Sequence, residues 1–218
     1  IDEDGKARRF EESLRFRDNI DIVNEVDKAD NTTMREKRKL KAGSAYESIT
    51  DLLYTGRDQR FYQTVGYDGG QLFGNTIYMR TGGNYHPLSY IKTNRERGSV
   101  TGYVYKKFVV ETQASPDKAP VDLTRPIFRL GRCYLNAAEA YLYLGDEAKA
   151  IQYINKTRVT HGGLPALTNE TGDELKKIYI DERDAELDLE NDRYWTLMRT
   201  SIAWGVMREN GIPDANNK

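Results

Sequence analysis

From Arg129 to Arg158 the chain reads RLGRCYLNAAEAYLYLGDEAKAIQYINKTR, and its apolar positions follow a helical period. Leu130, Cys133, Tyr134, Ala137, Ala138 and Tyr141 fall at i, i+3, i+4, i+7, i+8 and i+11, a stripe one helix face wide. The spacing predicts that this face is buried, with its alanines letting a second helix approach closely. Cys133 on it is then expected to be an inert core thiol. Pro126 suits the first helical turn, where a missing amide costs nothing. Gly145 ends the helix and Asp146 caps the next, which runs through Ala148, Ile151 and Ile154 to Arg158 or Thr160. So short a link makes the two helices antiparallel neighbours. Thr171 and Glu174 have capping-box spacing and open a third helix carrying ELKKIYIDERDAELDLENDRYWTLMR, with a break near Asn191. Trp195 and Trp204, in its last segment, are expected to pack in the core.

Upstream the pattern changes twice. Residues 56–125 show no 3.6-residue period, and glycine pairs interrupt every extended run, as in FYQTVGYDGGQLFGNTIYMRTGGNYHPLSY. Short strands are predicted at QLFGNTIYMR and TGYVYKKFVV, where β-branched and aromatic residues cluster, with long ordered loops between them. Residues 1–55 are densely charged and change sign often. They are read as one or two helices or a partly ordered insertion, solvated rather than nucleic-acid-binding, followed by a helix in KAGSAYESITDLLYTG that ends at Thr55-Gly56. The expected fold is therefore mainly α: helical hairpins, a long irregular Gly/Tyr-rich insert and a few short strands, with 1–55, 56–125 and 126–218 as its three parts.

Composition narrows the function. In 218 residues, 33 lysines and arginines meet 34 aspartates and glutamates, so net charge gives no reason to expect nucleic acid or an anionic membrane. No apolar run approaches the roughly 20 residues of a membrane span. The start, IDEDGKARRF, lacks an apolar signal region and an initiator methionine, which is expected of a processed product or internal fragment. One cysteine excludes an intrachain disulfide.

A helical hairpin with alanines at its crossing is similar to a tetratricopeptide unit, but no second copy follows at the period of about 34 residues such an array needs. The fuller pattern is more specific. RLGRCYLNAAEAYLYLG, then AIQYINKTR, then DERDAELDLENDRYWTLMR resembles the SusD/RagB family of nutrient-binding outer-membrane lipoproteins, matching its motifs at Arg129, Leu135, Asn136, Ala138, Glu139 and Ala140, at Asn155 and Arg158, and at Glu182, Arg183, Glu186, Leu187, Glu190 and Arg193. GRDQRF and TGYVYKKF are similar to two further family segments, and IDEDGK to a third. Gln59 stands where the family favours proline, Asn191 where it favours glycine, and Thr196 where it often has aspartate.

The resemblance implies the C-terminal portion of a longer surface lipoprotein. Such a protein would capture an oligosaccharide, or in some members a peptide, without catalysis or cofactor. It would deliver the ligand to a SusC-like TonB-dependent transporter and meet the membrane only through a lipid anchor outside this chain. Two other classes stay open at this point: a helical scaffold that binds proteins alone, and a glycan hydrolase.

Glu182, Glu186 and Glu190 at i, i+4 and i+8 are the tempting catalytic trio. The stronger reading is a structural face paired with Arg183, Arg193 or Arg158, because a carboxylate metal site usually recruits histidine and this helix has none. His161, just past a helix end, reads as a cap favoured by the helix dipole, and neither it nor His86 has metal-site spacing. Sugars present flat C–H faces to aromatic rings and hydroxyls to amides, carboxylates and guanidinium groups. Tyr67, Phe73, Tyr78, Tyr85 and Tyr90 with Asp68, Asn75, Arg80 and Asn84 offer that mixture in one loop, and are the candidate ligand contacts. The competing reading is that these tyrosines simply pin the loop to the helices.

Overall fold

The computed structural model describes residues 10–28, 31–80, 82–85, 99, 101–109 and 126–204. It is mainly helical, and the chain divides into two compact units, Ile1–Arg57 and Asp58–Lys218.

In the first unit, a 3-10 turn at Phe10–Glu12 leads into α1 (Leu14–Asn19), capped by Ser13, whose hydroxyl accepts from the Phe16 amide at 3.1 Å. Then β1 (Ile20–Val26) and β2 (Met34–Leu40) pair as an antiparallel hairpin with Ile20 opposite Leu40 and Val26 opposite Met34. α1 is a helix of the kind expected in the charged region, but the stretch after it is this hairpin rather than a second helix or a partly ordered insertion. The alternating signs are cross-strand pairing: Glu25 meets Lys39 and, at 3.6 Å, Lys37, while Arg35 meets Asp27 at 2.6 Å. Both faces of the ribbon are largely exposed, so the apolar residues of β1 mark no buried face beyond Ile20. The unit's core is small: Phe16, Ile20 and Leu52, flanked by Leu40, Tyr46 and Ile49. Leu52 belongs to α2 (Ile49–Tyr54), which closes at Thr55 and is followed by Gly56 at φ +64°, as the glycine stop predicts.

The second unit begins with Asp58, whose carboxylate caps α3 (Gln59–Thr64) by accepting from the Arg60 amide at 2.9 Å. Three two-residue strands follow α3, β3 (Val65–Gly66), β4 (Gln71–Leu72) and β5 (Asn75–Thr76), and β6 (Val104–Tyr105) pairs with β3. The strands predicted at 71–80 and 101–110 are therefore present but minimal, and α3 went unread because six residues show too little period. Gln59 occupies the first helical position, where proline is tolerated, but its amide donates to the Gly162 carbonyl at 3.0 Å.

α4 (Leu130–Leu144) and α5 (Glu147–Arg158) form the predicted antiparallel pair, with Gly145 left-handed at φ +76° and Asp146 accepting from the Lys149 amide. α6 (Gly172–Glu186) follows, then a turn, then α7 (Arg193–Trp204), placing the break near Asn191 as expected. Thr171 precedes α6 but makes no side-chain cap bond. Leu135, Ala138, Leu142, Ile151, Ile154, Leu175 and Tyr179 form the main core.

Two expectations about α4 are corrected. The buried positions are Gly131, Leu135, Ala138, Glu139 and Leu142, one residue on from the stripe read in the sequence, and Cys133 is exposed. Leu130 heads the helix with Arg129 at its N-cap, so Pro126 lies outside the first turn. Trp195 is also exposed, at 62%, edge-on to Tyr194, whereas Trp204 packs against Tyr143 and Tyr179. Among the described residues no helix is long and apolar enough to cross a membrane.

Candidate functional site

The Gly/Tyr-rich loop folds on its own polar groups. β4 and β5 are joined by Phe73-Gly74, both at positive φ (51° and 71°), and Asn75 Nδ2 donates to the Phe73 carbonyl at 3.0 Å. Asp68, buried, accepts from the amides of Met79 (2.7 Å) and Arg80 (3.3 Å) and pairs with the Arg80 guanidinium at 3.3 Å. Asn84 bridges the returning chain, accepting from the Tyr78 amide and donating to the Thr76 carbonyl. Tyr67 lies against Phe61 and Tyr62, and Phe73 and Tyr85 pack on a small core of Leu72, Ile77 and Met79.

Of the candidate contacts, Asp68, Asn75 and Asn84 thus spend hydrogen bonds on the loop itself, and Tyr67, Phe73 and Tyr85 are half-buried. Tyr90 lies outside the described residues, as does His86. The groups left facing outward are Tyr78, with the Arg80 guanidinium 4.5 Å from its ring centroid, and Tyr103 and Tyr105 on the neighbouring strand segment. The signal that marks those last two tyrosines in the sequence is their alternation in TGYVYKKF, which places both on one side of a strand. Gly83 closes the loop: a Cβ there would stand 2.2 Å from the Tyr78 carbonyl oxygen. Gly83→Ala is expected to cost about 1–3 kcal/mol by overpacking against backbone that cannot give way. Urea denaturation checks this, and an unchanged midpoint would refute the packing argument.

The acidic trio is engaged throughout. Glu182, fully buried, accepts from Arg60 Nη1 at 2.6 Å, Arg60 Nη2 at 3.0 Å and the Thr157 hydroxyl at 2.7 Å. Arg158 stands 3.9 Å away. Glu186 meets Arg60 at 3.2 Å, Arg129, and His161 Nδ1 at 2.9 Å. Glu190, beyond the helix, meets Arg129 at 2.7 Å and Lys107 at 2.8 Å. The expected structural face is present, and of the cations read in the sequence Arg158 reaches it, at Glu182, while the nearer partners are Arg60, Arg129 and Lys107. Arg183 turns instead to Asp192 (2.6 and 2.8 Å), and Arg193 to Asp184. Nor does His161 act as a simple helix cap: its ring lies against Glu186. Burial pushes the Glu182 carboxyl up, with Arg60 and Thr157 pulling against it, while at Glu186 the same burial is outweighed by Arg129 and His161 and the carboxyl is held low. Arg60 and Arg129 were missed as partners because their pairing spans more than fifty residues of sequence. A helix presenting three carboxylates on one face requires cations from somewhere, and that was the available signal.

Beside this network lies a cleft of about 730 Å3 between α4 and α7. It is lined by Phe128, Tyr143 and Trp195 together with Arg132, Asn136 and Arg199. Three cations of the lining are already paired: Arg132 with Asp192 (2.6 Å), Arg183 with Asp192, and Arg199 with Glu139 (3.0 Å). Asn191, on the rim, takes φ +57°, a left-handed conformation that asparagine tolerates better than most residues and that explains the glycine expected there. Thr196 is buried and donates its hydroxyl to Asp192 at 2.7 Å.

The model of the SusD family matches residues 12–217. The chain belongs to the SusD family. Its curated relatives include SusD-like protein P38 of Formosa agariphila, 36% identical over 89 residues, which is 37% of this chain and 18% of the relative. A SusD-like protein of Bacteroides fragilis superposes with a TM-score of 0.56 at 28% identity, covering 71% of this chain and 30% of that one. A SusD-like carbohydrate binding protein of the same organism gives 0.52 at 23% identity, with 76% and 33% covered, and shows the shared fold. The 218 residues thus span a third or less of the length of these relatives. In this SusD-family chain, the motifs first read as a resemblance turn out to be the buried ion network and the helices that carry it.

Proposed function

We propose that the protein captures oligosaccharide at the bacterial cell surface, without making or breaking bonds, and passes it to a TonB-dependent transporter of the outer membrane. A lipid anchor outside these residues would hold it there. The family match over residues 12–217 carries this reading, and the fold shared with a Bacteroides fragilis protein described as carbohydrate-binding supports it. The carboxylates that a hydrolase would need free are held by guanidinium groups.

Ligand contact is assigned to the loop bearing Tyr67, Asp68, Phe73, Asn75, Arg80, Asn84, Tyr85 and Tyr90, with Tyr78 as its outward ring. Inward-facing members hold the platform, and the stacked Tyr78–Arg80 pair presents an aromatic face beside a guanidinium, the combination that a pyranose ring uses. Affinity electrophoresis of the full-length protein through gels containing different polysaccharides tests the proposal, with retardation by one glycan expected. Tyr78→Ala should weaken that binding by about threefold to tenfold, the equivalent of ~0.5–1.5 kcal/mol for one lost ring contact. Retardation by no glycan would sink the carbohydrate reading and bring peptide capture forward.

A further inference from the structure

The link from α6 to α7, residues 187–192, reads LDLEND and takes left-handed backbone without a glycine to adopt it. Leu189 has φ +61° and Asn191 +57°. Asparagine tolerates that region, but a side chain as bulky as leucine is an outlier there. Among the described residues, five residues other than glycine have positive φ. Asn31 and Phe73 sit in the connections of the hairpins β1–β2 and β4–β5, where tight turns call for it. The remaining one, Phe108 at φ +66°, directly follows Lys107.

Lys107 joins these two strained stretches. Its ammonium donates to the Asp188 carbonyl at 2.5 Å and to Glu190 Oε1 at 2.8 Å, the residues on either side of Leu189, with the Glu186 carbonyl at 3.5 Å. Its backbone is fixed from behind: the amides of Lys106 and Lys107 donate to the Thr64 carbonyl, at the end of α3, at 2.8 and 3.2 Å. From α4, the Arg132 guanidinium donates to the Glu190 carbonyl at 3.2 Å. Within the link the Glu190 amide donates to the Leu187 carbonyl at 3.0 Å. The left-handed shape is therefore imposed largely by cations reaching in from outside. Strain of this kind persists only where the surroundings over-determine it.

We propose that Lys107 is a clasp on a strained link: its ammonium holds Leu189 in the left-handed region, and when it withdraws, residues 187–192 relax to a second, open conformation. The clasp stands two residues past Tyr105 of β6, where Tyr103 and Tyr105 are 43% and 63% exposed. Displacement of that strand thus reaches the link through one side chain. With the link it reaches a cleft of about 1040 Å3 that Leu189, Asn191 and Trp195 line. The competing account makes Lys107 a passive cap on the last carbonyls of α6, favoured by the helix dipole. The two accounts differ in sign when Leu189 becomes glycine. On a passively capped link, glycine only adds freedom to the open chain and loosens it. On a strained link, glycine removes what drives the opening, and at 37% exposure Leu189 gives up little packing.

Hydrogen exchange of the full-length protein decides between them, read at the amides of Leu187 and Glu190 and corrected for the intrinsic rate of each sequence. Lys107→Met is expected to speed exchange at both by at least about tenfold. Adding Leu189→Gly to Lys107→Met should slow it again by about threefold or more. Unchanged exchange in Lys107→Met overturns the clasp. So does a glycine that leaves the rate of the methionine variant as it was or raises it further. Should Lys107→Met fail to fold, Leu189→Gly with Lys107 in place carries the test: slower exchange at Glu190 is expected, and equal or faster exchange overturns the proposal. Glycan binding does not enter the readout, so the outcome is independent of the proposed function.

Discussion

Replacing Arg60 with methionine is expected to lower the stability of the unit from Asp58 onward by roughly 3–5 kcal/mol, the cost of breaking a buried ion pair from one side. The Arg60 side chain is 7% exposed and donates to Asp58, Glu182 and Glu186 at 2.6–3.2 Å. Without it, three carboxylates crowd one desolvated space where Arg158, at 3.9 Å from Glu182, is the nearest remaining guanidinium to that residue. Arg60 also joins α3 to α6, so its loss removes a cross-link between elements 122 residues apart in sequence. Arg60→Lys keeps the charge but loses the planar fork that meets Asp58 and Glu182 together, and should fall between wild type and Arg60→Met. Urea unfolding gives both numbers. A loss below about 1 kcal/mol for Arg60→Met would mean that the network contributes no more than an exposed pair.

The helices were legible because each signal was local. Gly145 and Asp146 set the α4–α5 turn through their own backbone and side chain, and the 3.6-residue period of α4 was strong. That same period misled on which face is buried. α4 has two apolar stripes one residue apart, and a sequence cannot say which meets the core of this unit. Charge patterning failed in the opposite way. β1 carries the β-branched residues Ile20, Ile22, Val23 and Val26, but β2, MREKRKL, is mostly charged and offers no matching strand signal of its own. Their register becomes visible only when Glu25 is set against Lys37 and Lys39. At the candidate site, the sequence located the loop but could not separate rings that hold it from rings that face out. That distinction depends on turns at Phe73-Gly74 and Gly83 whose closure brings the Tyr85 amide to the Tyr78 carbonyl. The trio's structural role was legible from charge alone, and of its cations only Arg158 was, because the nearer ones arrive from α3, from Lys107 and from the start of α4.

Acidification is expected to unfold the second unit in a way that separates its carboxylates into two groups. At Glu139, Glu190 and Asp192 burial raises the carboxyl. Hydrogen bonds and charges outweigh it, from Arg199 and Tyr179 at the first, Lys107 and Arg129 at the second, and Arg183 and Thr196 at the third. Glu186 behaves likewise through Arg129. For these four the folded value lies below the unfolded one, so their contribution is full above the unfolded carboxylate range of about 3.9–4.3 and is lost as pH falls through the folded values. Glu182 and Asp181 have the opposite sign: burial holds them high, the folded state prefers the proton, and their favourable contribution is lost as pH rises. The larger group decides the outcome, so stability should stay level from pH 7 to about 5 and fall below about 4. The two signs also predict different mutants. Asp192→Asn strips the partner from Arg183, whose side chain is 3% exposed, and should be strongly destabilising at pH 7, with its deficit closing as acid protonates the wild-type residue. Glu182→Gln removes a charge that burial disfavours, keeps an acceptor for Arg60, and should cost clearly less at pH 7. Melting curves of the three proteins between pH 3 and 8 decide it. If Glu182→Gln costs as much as Asp192→Asn at neutral pH, the ion pair with Arg60 outweighs the burial of Glu182, and the assignment of opposite signs within one network is wrong.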